Sequence, residues 1–329
     1  MSLLFRLLAA ALLTAASSAF AAASAAPGSH ILGRGVDHVL LWTRDAGRAS
    51  RVLERQLGFQ VRPGGDFGDG VANRIVQFSD MSYLELLFFT VPMDQIAPDV
   101  MEGVQFLRER DGSNGFGINV PSLESTVAHL TSAGFAMGEP TAGSYDPDGP
   151  EGPRPREASL YRTAGFSRQP IPGLDPFFVW YRPYASWSLT EHRMREARAR
   201  HPNTAQRLTG VWIAVADAAL TASILQRMGI VPGRLISLPH LQALASPFVA
   251  GRSTVLLVTA TGEGYAARQI RSRGSHVLGV SIDVDSVDVA AAAVARGYGR
   301  RPHRYRGPFG DSVLARSEAD LGLLVEFHR

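Results

Sequence analysis

Between Val36 and Phe89 the spacing of hydrophobic positions changes repeatedly. Val36 to Trp42 follows a period of two, with Leu40 and Trp42 on the face of His38, as in a strand. Asp45 then reads as an N-cap, followed by Ala49, Val52, Leu53 and Leu57 at helical spacing, with Gly58 as the C-cap. Short strand-like runs follow at Phe59-Gln60-Val61, Asn73 to Phe78 and Tyr83 to Phe89. A glycine-rich loop from Pro63 to Gly70 and a turn at Asp80-Met81 separate them. The predicted unit is β-α-β-β-β. Its first strand carries a buried-side His38 and its last a buried-side Glu85.

Weaker copies of the pattern fill the rest of the chain. A short helix is expected around Pro98 to Arg108. Gly115 to Val120 reads as a strand, Leu123 to Ala133 as a helix closed by Gly134-Phe135, and Ala158 to Thr163 and Pro176 to Tyr181 as further strands. A third copy starts at Thr209, alternates through Val211, Ile213 and Val215 into Asp217, and ends with Val255 to Val258. The fourth starts near His276, continues through a helix from Val287 to Ala295 closed by Gly297, and ends with strands at Gly310 to Ala315 and Leu323 to Phe327. Such self-similarity marks repeated supersecondary units. One unit is too small to enclose a core. Paired units let the strands curve into a half-open barrel of mixed sheet with helices outside, an α+β fold. The boundaries are one domain over 35–187 (modules 35–90 and 115–183), a helical linker over 188–207, and a second domain over 208–329 (modules 208–260 and 275–328). The length of 329 residues agrees with two domains. The linker opens on Ser188-Leu189-Thr190-Glu191, the spacing of a capping box, and its arginines read as a solvated face.

The N-terminus changes the expected location. Arg6, the apolar run Leu7 to Leu13 and the small-x-small site Ala19-Phe20-Ala21 read as a signal peptide over 1–21. A loose Ala/Ser/Gly-rich arm follows over 22–34. The apolar run is short for a membrane span, so the expected protein is periplasmic or secreted, with no stable membrane insertion after signal removal. Composition narrows the chemistry. The absence of Cys removes thiol nucleophiles, thiolate ligands and disulfides. The absence of Lys removes Schiff bases and a phosphate-loop lysine. Net charge is only +3 and the arginines are dispersed, which argues against nucleic acid.

The stretches Val36-Asp37-His38-Val39, Leu57-Gly58-Phe59, Pro63-Gly64-Gly65, Ala72-Asn73-Arg74-Ile75 and Tyr83-Leu84-Glu85-Leu86 resemble the glyoxalase-like branch of the vicinal oxygen chelate superfamily, and Gly322 to Phe327 resembles a typical ending of that family. The resemblance implies paired modules offering His or Glu from first strands and Glu from last strands to a divalent metal such as zinc, nickel, manganese or iron. His38 and Glu85 match those positions in module one. Module two offers Phe116, then Phe178 or Val179; module three offers Gly210 or Trp212, then Leu256; module four offers His276 or Leu278, then Glu326. If modules one and four faced each other, His38, Glu85, His276 and Glu326 would meet.

His38 and Glu85 share strand faces with apolar residues, which is costly unless they are paired, liganded or facing a wet cavity. Two readings stay open: a bound catalytic metal, or a His–Glu hydrogen bond inside the barrel. Glu326 alone reads as a carboxylate bonded to backbone, and His276 as structural or surface. Trp42, Asp66, Asn73, Phe178 and Trp180 are the expected ligand contacts, with Asp69 beside Asp66 in the glycine-rich loop. The implied function is a metal-dependent small-molecule enzyme of lyase or isomerase type, with dioxygenase chemistry less favoured because no module pair is complete. The other reading is a metal-free small-molecule binding protein of the bleomycin-resistance kind. A homo-oligomer stays open.

Overall fold

The computed structural model describes residues 33–67, 70–96, 101–143, 161–182, 193 and 196–329. The signal peptide, most of the arm, Asp69, the capping box at Ser188 and part of the 142–155 loop lie outside the described residues.

Module one contains β1 (Gly35–Trp42), α1 (Ala46–Arg51), β2 (Arg62–Asp66), β3 (Val71–Gln77) and β4 (Tyr83–Phe89). Asp45 caps α1 by accepting the Arg48 N–H at 2.8 Å, and α1 runs on into a π turn over Val52–Gln56. The strand expected at Phe59-Gln60-Val61 starts later, at Arg62, because Phe59 is drawn into the core under the helix. After helix α2 (Met101–Glu109), module two supplies β5 (Gly112–Asn119), α3 (Leu123–Ser132), β6 (Thr141–Ala142), β7 (Tyr161–Ala164) and β8 (Asp175–Tyr181). β1 runs parallel to β4 and antiparallel to β5, which runs parallel to β8, so modules one and two share one sheet.

The second half repeats the plan. β9 (Ala205–Ala214), helix α4 (Ala218–Arg227), β10 (Val231–Pro232), β11 (Ile236–Leu238), β12 (Ala243–Ala250) and β13 (Ser253–Ala260) precede helix α5 (Tyr265–Arg273). Then come β14 (His276–Val284), helix α6 (Val287–Tyr298), β15 (His303–Gly307), β16 (Gly310–Ala315), the short helix α7 (Glu318–Leu321) and β17 (Leu324–His328). β9 is parallel to β13 and antiparallel to β14, which is parallel to β17. The sheet is mixed, with α1, α3, α4 and α6 on one face, the helical face, and α2 and α5 against the other.

That helical face holds the main core: Val39, Leu84, Phe116 and Phe178 pack with Leu53 and Leu123 in the first half, and Val211, Ile282 and Phe327 with Leu225 and Val294 in the second. The halves meet along this core. Gly297, expected to end α6, lies inside it; a Cβ there would fall 2.2 Å from the Gln56 Cα, so its missing side chain lets α6 cross the π turn of module one. Gly299, at φ +65°, ends the helix instead. His201 adds a polar clasp, its Nδ1 accepting the Gln60 N–H at 3.0 Å and its Nε2 lying 2.8 Å from the Gln77 carbonyl. Those roles suit a neutral ring, and burial pulls the His201 pKa down.

Candidate functional site

Strand register, together with the distance to each helix N-cap, fixes the equivalent positions in the modules. His38 stands seven residues before the cap Asp45, and Glu85 pairs with Leu40, two residues on. The same count from Ser122 gives Gly115 in module two, with Phe177 opposite Gly117. From Asp217 it gives Gly210 in module three, with Leu256 opposite Trp212; from Ser286 it gives Gly279 in module four, with Glu326 opposite Ser281. The module-two positions therefore fall one residue from the expected Phe116 and Phe178. In module three Gly210 and Leu256 are among those expected. Gly279, neither His276 nor Leu278, stands in module four where His38 stands in module one.

A bulge moves the module-four position out of simple alternation. Both β1 and β14 carry a register shift against their antiparallel partner, between Val36 and His38 and between Val277 and Gly279. A bulge inserts an extra residue and breaks the alternation on which parity arguments rest. In β1 the inserted residue is Asp37, which alternation assigns to the face opposite His38. Instead the bulge brings Asp37 Oδ1 2.8 Å from His38 Nδ1. In β14 the inserted residue is Leu278, so the Asp-His of one half is Leu-Gly in the other.

Asp37 is tightly held. Arg34 donates to Oδ2 at 2.6 Å, and the Tyr181 hydroxyl donates to Oδ1 at 2.7 Å. Tyr181 is in turn hydrogen-bonded to Tyr83, whose ring stacks on the His38 imidazole at 4.3 Å between centroids. Burial holds both phenols well above their usual pKa; the Tyr181 dipole and the Glu85 and Asp37 charges add to the effect at Tyr83, and Asp37 adds to it at Tyr181. Phe177 meets the imidazole edge-on at 5.1 Å. Across the sheet Gly117 leaves room for the ring, since a Cβ there would lie 2.7 Å from His38 Cε1.

The other imidazole nitrogen faces Glu85. His38 Nε2 lies 3.5 Å from Glu85 Oε2, and the Asn73 amide donates to Glu85 Oε1 at 2.6 Å. Asn73 Oδ1 accepts the Gly65 N–H at 2.7 Å, tying the glycine-rich loop to the carboxylate. Asn73 thus touches Glu85 directly. Of the other expected contacts, Trp42 is half-buried against Phe89 and beneath Gly103 of α2. Asp66 is exposed at the end of β2. Trp180 is half-buried, with the Arg162 guanidinium 4.9 Å from its ring. Phe178 is a correction: it is fully buried on the helical face, and Phe177 takes the inner face.

The two halves treat their inner faces differently. In the first, Leu40, Trp42, Tyr83, Phe177 and Tyr181 are only half-buried. In the second, Trp212, Leu256, Val258, Leu278, Leu314 and Leu324 form a second apolar cluster that fills the space. Glu326 is fully buried beside it. It is bonded to side chains, not to backbone: Ser281 donates at 2.5 Å and Tyr305 at 2.6 Å. Burial pushes the Glu326 pKa up. His276 lies at the start of β14, with Nδ1 2.9 Å from the Gly274 carbonyl. With β1 paired to β5 and β14 to β9, His276 and Glu326 belong to the other half-barrel from His38 and Glu85.

A catalytic metal centre normally has three protein ligands and an open position. His38 Nε2 and Glu85 Oε2 lie side by side, but Gly115 and Phe177 occupy the positions module two would contribute. Among the described residues no three His, Asp or Glu side chains are grouped to hold an ion. The donor set present does not fit a resident catalytic metal.

Comparison with known proteins adds three findings. A family model described as "Glyoxalase-like domain" matches residues 36–229. A search of curated proteins gives no match. Among solved structures, a mutant 4-hydroxymandelate synthase from Streptomyces coelicolor is similar with TM-score 0.62 at 13% identity, over 90% of this chain and 92% of that one. A halotolerant catechol dioxygenase is similar with TM-score 0.56 at 14% identity, over 91% of this chain and 87% of that one. A hypothetical protein from Staphylococcus aureus also has TM-score 0.56, at 13% identity, over 89% of this chain and 98% of that one.

Proposed function

Because the chain belongs to the glyoxalase-like domain family of the vicinal oxygen chelate superfamily, a group of metal-dependent enzymes and binding proteins, we propose that it is an exported small-molecule enzyme of lyase or isomerase type in which His38 and Glu85 move a proton. One observation carries this reading. His38 is held at Nδ1 by a buried carboxylate, and its Nε2 faces a second carboxylate across 3.5 Å on a half-open sheet face.

The chemistry follows from the bonding. Asp37 accepts at Nδ1, so that nitrogen carries the hydrogen and Nε2 carries the lone pair. Nε2 takes a proton from an acidic C–H beside a substrate carbonyl, leaving the electron pair as an enolate. Asp37 stabilises the imidazolium that forms, as the aspartate does in other Asp–His pairs. Arg34 and Tyr181 keep Asp37 aimed at the ring. Glu85 stands beside Nε2 with Oε2 free of Asn73, placed to carry the proton to another substrate atom. Return of the proton to a different carbon gives isomerisation. Expulsion of a group beta to the carbanion gives a lyase reaction. No step is routed through a metal.

A metal-free binding protein is the second reading, favoured by the aromatic walls Tyr83 and Phe177 around an incomplete ligand set. Proton NMR in D2O separates the two. The wild type is expected to speed deuterium uptake at the acidic carbon of at least one 2-oxoaldehyde or 2-hydroxyketone, and His38→Gln and Glu85→Gln, still folded, are expected to lose it. Binding without exchange moves the assignment to a sequestering protein. Stoichiometric metal in purified wild type that vanishes in His38→Ala overturns the metal-free mechanism. Export rests on Arg6, the Leu7 to Leu13 run and Ala19-Phe20-Ala21; an N-terminus near Ala22 on the secreted protein is its check.

A further inference from the structure

We infer that the His38–Glu85 site selects its ligand by charge, taking uncharged or cationic planar molecules and rejecting carboxylates and phosphates. The inference rests on the same site as the proposed proton transfer but on a different property of it.

Two carboxylates flank the imidazole, Asp37 at Nδ1 and Glu85 at Nε2, at 2.8 and 3.5 Å. The cation bonded to this pair is Arg34, which is held at Asp37, on the Nδ1 side of the ring, away from Nε2. It gives one bond to Asp37 Oδ2 and another to the Asp80 carbonyl, both at 2.6 Å, and its guanidinium lies 5.5 Å from the Tyr181 ring centroid. The Asp37 side chain is wholly buried. Turning Arg34 toward a ligand would strand that charge without its partner, which is strongly disfavoured. The hydroxyl donors are spoken for as well, with Tyr181 giving its proton to Asp37 and Tyr83 bonded to Tyr181. An anion brought to His38 Nε2 therefore meets the Glu85 charge without a compensating donor from these groups. At a separation of about 5 Å in a partly buried site, that repulsion weakens binding by about a hundredfold.

The surroundings supply shape. Tyr83 stacks flat on the imidazole, Phe177 presents its edge, and the absent side chain at Gly117 lets His38 and Phe177 sit close against the strand. Half-buried aromatic walls of this kind accept a flat body and attract a cation through the ring faces.

The test uses three probes of one shape: acetophenone, benzylammonium and benzoate. Each is titrated into full-length mature protein, and the His38 Cε1–Hε1 signal, assigned by its loss in His38→Gln, is followed by NMR. Acetophenone and benzylammonium are expected to move it saturably, and benzoate to bind about a hundredfold more weakly. Glu85→Gln should bring benzoate within about tenfold of acetophenone, and Glu85→Asp, which keeps the charge, should keep the order. Benzoate binding as tightly as acetophenone in wild type, no saturable shift with any probe, or an unchanged gap in folded Glu85→Gln overturns charge selection. Deuterium exchange is scored separately. Charge ordering without exchange sinks the proton-transfer reading alone, and exchange without charge ordering sinks this inference alone.

Discussion

Gly117 offers the sharpest single perturbation of the site. Gly117→Ala adds one methyl group, on the inner sheet face beside His38. Built on the existing backbone, that carbon lies 2.7 Å from His38 Cε1, 2.9 Å from Nδ1 and 3.2 Å from the Phe177 ring. Ordinary contact begins near 3.4 Å, so the imidazole has to retreat. It is pinned on one side by the 2.8 Å bond to Asp37 and on another by the Tyr83 ring at 4.3 Å. The far end of a flexible side chain would yield cheaply, but a ring held on two sides does not. Overpacking of this kind costs about 1–3 kcal/mol, and loss of the Asp37 bond would place the cost at the upper end. For a proton-transfer base, displacement approaching an ångström lowers turnover by about ten- to a hundredfold. Urea unfolding measures the first effect, and NMR of the His38 imidazole together with deuterium exchange measures the second. Stability within about 0.5 kcal/mol of wild type, with an unmoved His38 signal, would refute the packing argument and its claim that Gly117 exists to seat the ring.

Two further predictions concern the second half. Burial pulls the His276 and His328 pKa values down to about 4 from 6.5, so both rings fold neutral; their share of stability is complete above pH 6.5 and is lost as pH falls toward 4, by on the order of 3 kcal/mol each. Urea midpoints from pH 7.5 to 4 should show the decline, and His276→Gln should flatten part of it; equal slopes in wild type and variant would sink the assignment. Glu326→Gln should cost about 1–3 kcal/mol, because the amide oxygen keeps only one of the Ser281 and Tyr305 donors and the new NH2 faces the other, and it should leave deuterium exchange unchanged. Loss of exchange in that variant would place the chemistry in the half-barrel that the structure shows filled.

The repeating strand–helix–strand pattern was legible in the sequence because each element writes its own period: two for strands, about 3.6 for helices, with Asp45 capping its helix where expected. The α+β class, the module repeat and the inner-face placement of His38 and Glu85 all follow from that local grammar. What it left undecided were relations across strands. Asp37 stands in the strand motif, but its pairing with His38 is not legible there, because alternation puts neighbours on opposite faces and only the pairing of β1 with β5 reveals the bulge. The signal available in the sequence was its adjacency to His38, which has no meaning without the bulge. The same kind of shift in β14 hid Gly279 behind His276 and Leu278.

The sequence by itself determined the secondary elements, the repeated module, the lack of thiol and amine chemistry, and the burial of His38 and Glu85 in module one. Those properties depend on residue type and on spacing along one strand or helix. The tertiary structure alone decided which modules pair, that Asp37 and Tyr181 from different modules converge on His38, and that one half-barrel stays half-open while Trp212 and its apolar neighbours fill the other. These outcomes depend on register and on which side chains compete for one enclosed space, and neither is written in the order of residues along a single element.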